Sequence, residues 1–457
     1  MPRTRGIRTL LWITSTSLAL AACGGGGGGG SSGSSSGSGN SVTLPQLITA
    51  SLIVDVNGDG RNDILIGNGD NVNSSDLLLI NNADGSLTAK ANAFPPHFKG
   101  AYGTTVAFAT GDFNKDGKTD VLAVTVDTTP GNYYGSSRIQ LYLGNGDGTF
   151  TDASSNISHG LWPDATINSV AWPVWLRVAD LDGDGFPDFI AVPAGGANPA
   201  TPAFIYLNDG TGHFSPAQIS ITSGTQTSTS TALPNVANAL IGDLDGDGRL
   251  DVMVTGSGQP IIAYLNRSTP GHLNFIAKAS PSNGALAQSV LVNLNGDHVL
   301  HLIGTAGYSG SQTTTVPLYA YVNDGTGVFH EDETVFSTGQ PGVVESRQLL
   351  AGDLTSSGRD SVFVADHGWD QSPFPGERSW YLKNDGAGHL ADATASNFGT
   401  IPAYTHGAAL GDLHGNGYID VFMNNDTSTG LAASSQVPRF WKNDGKGNFT
   451  SYMPVIN

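Results

Sequence analysis

The sequence predicts an all-β protein, a seven-bladed β-propeller of four-stranded antiparallel blades. Three observations lead to this fold class. An acidic loop between two apolar runs returns seven times along the 457 residues, at intervals of 50 to 68 residues. The runs after the loops are short, rich in β-branched side chains and bounded by Gly and Asp, as in residues 121–124 and 189–192. Such runs favour strands buried on both faces, and no long stretch keeps a helical period.

Each repeat is completed by a second marker, an apolar strand followed by an Asn/Asp/Gly turn and then Phe or Leu. A repeat therefore predicts strand, acidic loop, strand, longer loop, strand, tight turn and strand. One such sheet cannot hide both of its apolar faces, whereas seven sheets packed radially can, and they leave only short edges. A linear array or two smaller propellers would need a second linker, and the sequence shows none.

Composition narrows the class of protein. With 39% hydrophobic residues the chain can bury a core, so global disorder is excluded. Acids outnumber bases by 39 to 20, which argues against nucleic acid as a partner. No apolar run reaches the ~18 residues that a membrane-spanning helix needs. The single cysteine excludes an internal disulfide framework.

The N-terminus is typical of an export signal. A short apolar stretch follows Arg3, Arg5 and Arg8 and ends at Cys23, the only cysteine in the chain. Residues 20–23, Leu-Ala-Ala-Cys, resemble a bacterial lipoprotein signal, in which the cysteine becomes the lipidated first residue of the mature protein. An ordinary secretory signal with an incidental cysteine is the alternative.

These features divide the chain into three parts: residues 1–22 as a lipoprotein signal peptide, residues 23–46 as a lipidated Cys and a flexible Gly/Ser linker, and residues 47–457 as the propeller. Gly24 stands where some bacteria place an Asp for inner-membrane retention. We therefore expect a protein of the bacterial cell envelope, anchored by lipid in the outer rather than the inner membrane or displayed at the cell surface.

Four of the acidic loops carry one complete pattern, Asp-x-Asp/Asn-x-Asp-Gly-x-x-Asp. We number the loops 1 to 7; they start at Asp55, Asp112, Asp180, Asp243, Asn293, Asp353 and Asp412. In loops 1 to 4 the expected ligands are the side chains at positions 1, 3, 5 and 9 and the carbonyl at position 7. They are Asp55, Asn57, Asp59, Arg61 and Asp63; Asp112, Asn114, Asp116, Lys118 and Asp120; Asp180, Asp182, Asp184, Phe186 and Asp188; and Asp243, Asp245, Asp247, Arg249 and Asp251.

This ligand set suits calcium. Alternate side chains converge when the loop curls, and Ca²⁺ takes ~6–8 hard oxygen ligands in flexible geometry, whereas Mg²⁺ demands a tighter octahedron. The loop opens like an EF-hand but lacks the Glu at position 12 that the EF-hand requires. A plain Asp-Gly turn would account for one copy, but hardly for four at equivalent positions.

The other three loops are degenerate. Loop 7 keeps Asp412, Asn416 and Asp420, which predicts weak calcium binding at most. Loops 5 and 6 keep one acid each at the ligand positions, and His298 replaces the turn glycine of loop 5. We expect no calcium in loops 5 and 6, although the corner itself should persist.

The repeated unit is an apolar run, Gly-Asp, the loop and Gly-x-x-Asp, as in residues 111–121. This unit resembles an FG-GAP/VCBS repeat. Such repeats are similar to those of the integrin alpha-chain N-terminal propeller. The resemblance covers residues ~47–457. It implies a seven-bladed propeller with calcium in the loops between the first two strands of a blade, and recognition on the opposite face. It does not imply one activity, because fold is not function.

The long loops of that opposite face hold the candidate ligand-binding residues: His159, Trp162, His367, Trp369, Asp370, Arg378 and His406. Aromatic side chains near acids suit a sugar or a protein ligand. The plainer interpretation is that the tryptophans pack between blades and the histidines are solvated. Gly-x-Ser-x-Gly occurs only through the composition of the Gly/Ser linker, within residues 29–37, and no His-Glu-x-x-His or phosphate loop occurs. We therefore expect a calcium-stabilised binding or adhesion module without enzymatic activity; a secreted carbohydrate-active enzyme, a lyase or hydrolase, is the alternative.

Overall fold

The structure is a computed structural model. It describes residues 44–69, 75–129, 136–158, 173–193, 202–256, 260–283, 286–308, 310–311, 313–369, 374–427 and 439–457. The predicted signal peptide, Cys23 and most of the predicted linker lie outside these residues. So do three candidate ligand-face residues, His159, Trp162 and Asp370.

Seven antiparallel sheets form the seven blades, which confirms the predicted fold class. The strands of blades 1 to 3 are β1 Ile48–Val54, β2 Asp63–Asn68, β3 Leu77–Asn81 and β4 Leu87–Ala89; β5 Gly103–Gly111, β6 Asp120–Asp127, β7 Ser137–Gly144 and β8 Phe150–Asp152; and β9 Pro173–Ala179, β10 Asp188–Pro193, β11 Phe204–Asn208 and β12 Phe214–Pro216.

Blade 4 differs from the expected four strands, because the connection from blade 3 adds a hairpin, β13 Ile219–Ser223 and β14 Gln226–Ser230. With this hairpin the sheet has six strands. The other four are β15 Asn238–Gly242, β16 Asp251–Thr255, β17 Pro260–Asn266 and β18 Leu273–Asn283. Strand β13 runs parallel to β18.

Of blades 5 to 7, the last two have the expected four strands each, whereas blade 5 adds a short fifth strand. Their strands are β19 Gln288–Val292, β20 His301–Thr305, β21 Val316–Asn323, β22 Phe329–Glu331 and the short β23 Gly342–Val343, which pairs with β21; β24 Ser346–Gly352, β25 Ser361–Asp366, β26 Trp380–Asn384 and β27 Leu390–Asp392; and β28 Thr405–Gly411, β29 Asp420–Asn425, β30 Phe440–Asn443 and β31 Phe449–Tyr452. The described helices are short: α1 Thr394–Asn397 and the 3-10 turns Gly100–Tyr102, Ser154–Asn156 and Glu333–Val335.

The second strand of each blade is sandwiched between its neighbours. All eight residues of β6 are buried, and so are all those of β16, β20, β25 and β29. Apolar clusters fill the spaces between adjacent blades; between blades 2 and 3, for example, Phe113, Leu122 and Phe189 are completely buried. Full burial of one such side chain stabilises the fold by ~1.5–3 kcal/mol, so the core lies between blades rather than within any one sheet.

The first strands of the blades surround the axis. Strand β1 contacts both β5 and β28, so blade 7 lies beside blade 1 and the ring is closed. Among the described strands none is exchanged between blades 7 and 1, because β28 to β31 form a complete sheet of their own. Closure is supported by the last residues: the Val455 carbonyl accepts from the Leu87 N–H (2.8 Å), and Asn457 exchanges backbone bonds with Leu87 and Ala89. Among the described residues, no helix is long and apolar enough to cross a membrane.

Candidate functional site

Loops 1 to 7 join the first and second strands of the blades, so they share one face of the ring. In loop 1, Asp55 accepts hydrogen bonds from the backbone N–H groups of Gly58 and Gly60, both at 2.8 Å. Both glycines have positive φ, 74° and 83°, which a residue with a Cβ adopts at a cost. Loops 3 and 4 repeat these bonds and angles. The first acid therefore holds the curl that brings the other side chains together.

Two loops bring three acids close enough to hold a metal ion. In loop 3 one carboxylate oxygen from each of Asp180, Asp182 and Asp188 lies within 4.8 Å of the others. Loop 4 does the same with Asp243, Asp245 and Asp247. Loops 1 and 2 have an asparagine at position 3, so each offers one carboxylate fewer there. The donor set consists of oxygen, which fits a hard divalent cation.

The acid at position 9 also fastens the loop to its own blade. Asp188 is fully buried, and its two oxygens accept from the backbone N–H groups of Leu181 and Asn208, each at 2.9 Å. The same pair of bonds recurs at Asp63, Asp120, Asp251 and Asp420. A structural role for this acid therefore accompanies any ligand role.

Burial sets the protonation of these carboxyls. It raises the pKa of Asp188 to about 7, and the nearby loop acids add to the rise, while the two backbone bonds oppose it. For the same reasons the pKa of Asp63, Asp120 and Asp251 is raised to about 6. A bound cation would favour the charged form of each.

Basic side chains already neutralise some loop acids. Arg267 donates to Asp245 at 2.6 Å and to Asp247 at 2.7 Å, and Lys118 pairs with Asp116 at 3.0 Å. Arg61 pairs with Asp59 in loop 1. In loop 3, Lys115 lies over the Phe186 ring, with Nζ 3.9 Å from the ring centroid, but no described basic side chain pairs with a carboxylate there. Loop 3 is therefore the strongest candidate for a metal.

The degenerate loops keep their shape by other means. In loop 5, His298 adopts a φ of 65° in place of the turn glycine, and His301 at position 9 accepts the Asn323 N–H that an Asp accepts elsewhere. In loop 6, Ser361 accepts from the Asn384 N–H in the same way. In loop 7, His414 at position 3 lies 2.8 Å from Asp420. The corner thus persists, as predicted, where the acids are lost.

In six of the seven blades an asparagine at the end of the third strand ties neighbouring blades together, and the sequence pattern did not reveal this role. The Asn443 side chain donates to the Leu354 carbonyl of blade 6 (2.9 Å), and Asn81 donates to the Leu413 carbonyl of blade 7 (2.8 Å). Equivalent bonds come from Asn208, Asn266, Asn323 and Asn384. Blade 2 has Gly144 instead, where a Cβ would lie 2.2 Å from the Thr119 carbonyl oxygen; Thr119 itself bonds to the Asp55 carbonyl.

On the opposite face, the structure brings two of the predicted histidines together. The rings of His367 and Tyr404 stack with centroids 4.4 Å apart, and His406 lies 5.4 Å from His367. His367 is fully buried, with Nδ1 2.7 Å from the Gly368 carbonyl and Nε2 against Arg347. Burial and Arg347 hold its pKa well below the usual value. His367 is therefore a neutral support for Arg347 rather than a group that can touch a ligand directly.

Aromatic rings border this cluster. The rings of Tyr308 and Trp369 stack with centroids 6.0 Å apart, and Tyr308 is 49% exposed. Tyr308 pairs through its backbone with Glu345, whose carboxylate lies 3.1 Å from Arg347. A stacked aromatic pair thus stands beside an arginine and a carboxylate.

Arg378 is engaged elsewhere. Its guanidinium lies 3.7 Å from the Trp380 ring centroid and 3.1 Å from Asp392. Both contacts lie within blade 6.

Comparison with known proteins agrees with this architecture. Three stretches of the chain, residues 55–123, 131–191 and 243–304, match the FG-GAP-like repeat. These three stretches, similar to the FG-GAP-like repeat, lie within a seven-bladed β-propeller. No curated protein matches the sequence.

Among solved structures, the chain resembles a rhamnogalacturonan lyase of Bacillus licheniformis at 14% identity and a TM-score of 0.39, over 90% of this chain and 72% of that one. It also resembles Sqt1 of Saccharomyces cerevisiae at 9% identity and a TM-score of 0.43, over 83% and 94% of the two chains.

Proposed function

We propose that this protein is a calcium-stabilised propeller that is anchored by lipid outside the cytoplasm and binds a glycan on the face opposite its calcium loops. The observation that carries the ligand class is the stacked pair Tyr308 and Trp369 beside Arg347 and Glu345. The negative face of an aromatic ring attracts the C–H groups of a sugar ring. Charged side chains at the border then fix the orientation of hydroxyl or acid groups.

Calcium is assigned to loops 1 to 4, with loop 3 as the strongest site. The ion would neutralise three or four clustered acids and crosslink the loop. Binding to the folded state alone stabilises a protein by about 2.7 kcal/mol per site when the ion is in hundredfold excess over Kd. These loops lie on the other face from the aromatic pair, which supports a structural role for the ion.

Binding rather than catalysis is supported by how the opposite-face groups are engaged. Both ring nitrogens of His367 have internal partners. Asp366 is buried and accepts three backbone N–H groups, those of Val344, Glu345 and Gly368. Neither group is arranged to exchange a proton with a substrate.

A glycan array tests the ligand class. We expect the calcium-loaded protein to bind a defined set of glycans, Trp369→Ala to lose that binding, and Tyr418→Ala, which removes an exposed aromatic from the other face, to retain it. A wild-type protein that binds no glycan, or one whose Trp369→Ala variant binds normally, contradicts the proposal. Breakdown of a polysaccharide that stops in the His406→Ala variant would replace it with the enzyme alternative.

Elemental analysis and thermal melting test whether the protein binds calcium and whether the ion stabilises the fold. Protein purified with added Ca²⁺ should contain the ion and melt at a higher temperature than protein treated with chelator. Asp182→Asn should reduce this difference, whereas Asp209→Asn, at an exposed turn of the same blade, should not. An equal melting temperature with and without chelator would exclude stabilisation by calcium.

The anchor is tested separately. Cys23→Ala should abolish incorporation of labelled fatty acid and release the protein from the membrane fraction. Labelling that persists in the variant would rule out Cys23 as the lipidated residue.

A further inference from the structure

A cavity of about 300 Å³ opens on the axis where the first strands of blades 3, 4 and 5 meet. Six residues line it: Arg177, Val178, Leu240, Ile241, Val290 and Leu291. They belong to β9, β15 and β19. This volume is at the lower end of the ~300–1,000 Å³ range of small-molecule sites, so the cavity can hold a small organic molecule. One wall is cationic and the rest is aliphatic.

Arg177 is exceptional in its ring of equivalent positions. It lies three residues before the first residue of its loop, and in the other six blades this position is apolar: Leu52, Ala109, Leu240, Val290, Leu350 and Ala409. The propeller geometry therefore does not require a charge there. A guanidinium at this site needs an explanation of its own.

The hydrogen bonds of Arg177 leave part of its donor capacity unused. Its Nε donates to the Ala239 carbonyl at 2.9 Å, Nη1 to the Leu176 carbonyl at 3.2 Å, and Nη2 to Asn238 Oδ1 at 3.3 Å. Asn238 continues this chain to Ser289 of blade 5, at 3.1 Å. A guanidinium has five N–H groups, so one on each Nη has no protein acceptor among the described residues.

The charge of Arg177 also has no counter-ion. Within the described part of the chain, no carboxylate pairs with it, and its bonded partners are backbone and amide oxygens. Burial lowers its pKa to about 10, so the side chain remains a cation at neutral pH. The guanidinium is half-buried and lies 5.5 Å from the Trp175 ring centroid, a contact that does not neutralise its charge. A carboxylate would neutralise it, because a carboxylate matches the geometry of a guanidinium in a bidentate pair.

We propose that this cavity binds a small organic carboxylate, with the acid group on Arg177 and the hydrocarbon part against Leu240, Ile241, Val290 and Leu291. The aliphatic wall disfavours a strongly hydrated inorganic anion, because such an ion would lose its water without new partners. The site is independent of the proposed glycan face and of the calcium loops.

Titration calorimetry with valerate on the calcium-loaded full chain tests the site. Valerate should bind, while valeramide, which has the same shape without the charge, should not. Arg177→Met should weaken the binding of valerate at least about tenfold, as expected for the loss of a charged hydrogen-bonded pair. Lys442→Met, which removes an exposed cation elsewhere, should leave the affinity unchanged.

A second variant separates binding from folding, because Arg177 also braces blade 3 against blade 4. Val290→Phe keeps the arginine and its bonds but fills the cavity, and it should abolish valerate binding without loss of the folded state. The proposal is overturned if valerate does not bind the wild type, if both variants bind it normally, or if chloride or acetate binds as tightly as valerate.

Discussion

Replacing Asn443 by alanine should destabilise the ring at one blade junction. Its side chain is 1% exposed and makes four hydrogen bonds. It donates to the carbonyls of Leu354 and Ile419, both at 2.9 Å, and accepts from the N–H groups of Gly445 and Gly447 at 3.0 and 3.2 Å. Alanine removes all four and leaves buried backbone groups without a side-chain partner.

The magnitude follows from the cost of buried hydrogen bonds. Four bonds at a net ~1 kcal/mol each, the middle of the ~0.5–1.5 kcal/mol range for one buried bond, give about 4 kcal/mol for the variant. An unfolding entropy of ~2.1 cal/mol/K per residue gives roughly 0.9 kcal/mol/K for ~410 residues, so the melting temperature should fall by about 4 °C. Loops 6 and 7 flank this junction, and neither carries the complete pattern, so the shift should persist in chelator.

Differential scanning calorimetry measures the shift directly. The matched control is Asn448→Ala in the same turn, where the side chain is exposed and bonds only to Asp444. We expect that control to melt within about 1 °C of the wild type, as surface changes usually do. If Asn443→Ala has the same melting temperature as the control, the asparagine contributes little to the stability of the junction, and apolar packing alone holds the blades together.

Three further predictions concern the loops and the ring closure. Without calcium, the fold raises the pKa of Asp188 from 3.8 to about 7, so the folded state binds a proton more tightly than the unfolded state. In chelator, lowering the pH from about 8 to about 5 should therefore raise the melting temperature. Saturating calcium should remove or reverse this trend. Arg267→Ala should tighten calcium binding at loop 4 in titration calorimetry, because the ion no longer competes with the guanidinium; equal affinities would show that the arginine is not a competitor. Deletion of residues 453–457 should lower the melting temperature, because their backbone pairs with Leu87 and Ala89 are lost; an unchanged temperature would mean that side-chain packing alone closes the ring.

The repeat itself determined the fold. A period of about sixty residues with one acidic corner and short apolar runs admits few architectures, and the buried second strands confirm the interpretation. The geometry of the acidic corners could also be predicted from the sequence, because it requires an Asp at position 1 and glycines that adopt positive φ. Both requirements lie within one loop, so no contact with a distant residue has to be known.

Other features depended on which residues meet across blades. Asn443 and Leu354 are 89 residues apart, and no periodicity indicates that one binds the other. The hairpin of blade 4 is likewise absent from the predicted repeat: β14 has no apolar residue, and the alternation in β13 is limited to Ile219 and Ile221, too short to mark a half-buried strand. Tertiary contact stabilises such strands, which composition alone would assign to a loop.

The sequence by itself therefore determined the class of fold, the number of blades and the positions of the acidic corners, because each is encoded within one repeat. The tertiary structure decided which acids are balanced by an arginine or a lysine, how His367 supports Arg347, and that Arg177 faces an aliphatic cavity on the axis. These properties arise between blades, where charge, burial and hydrogen bonding depend on neighbours that the local pattern does not specify.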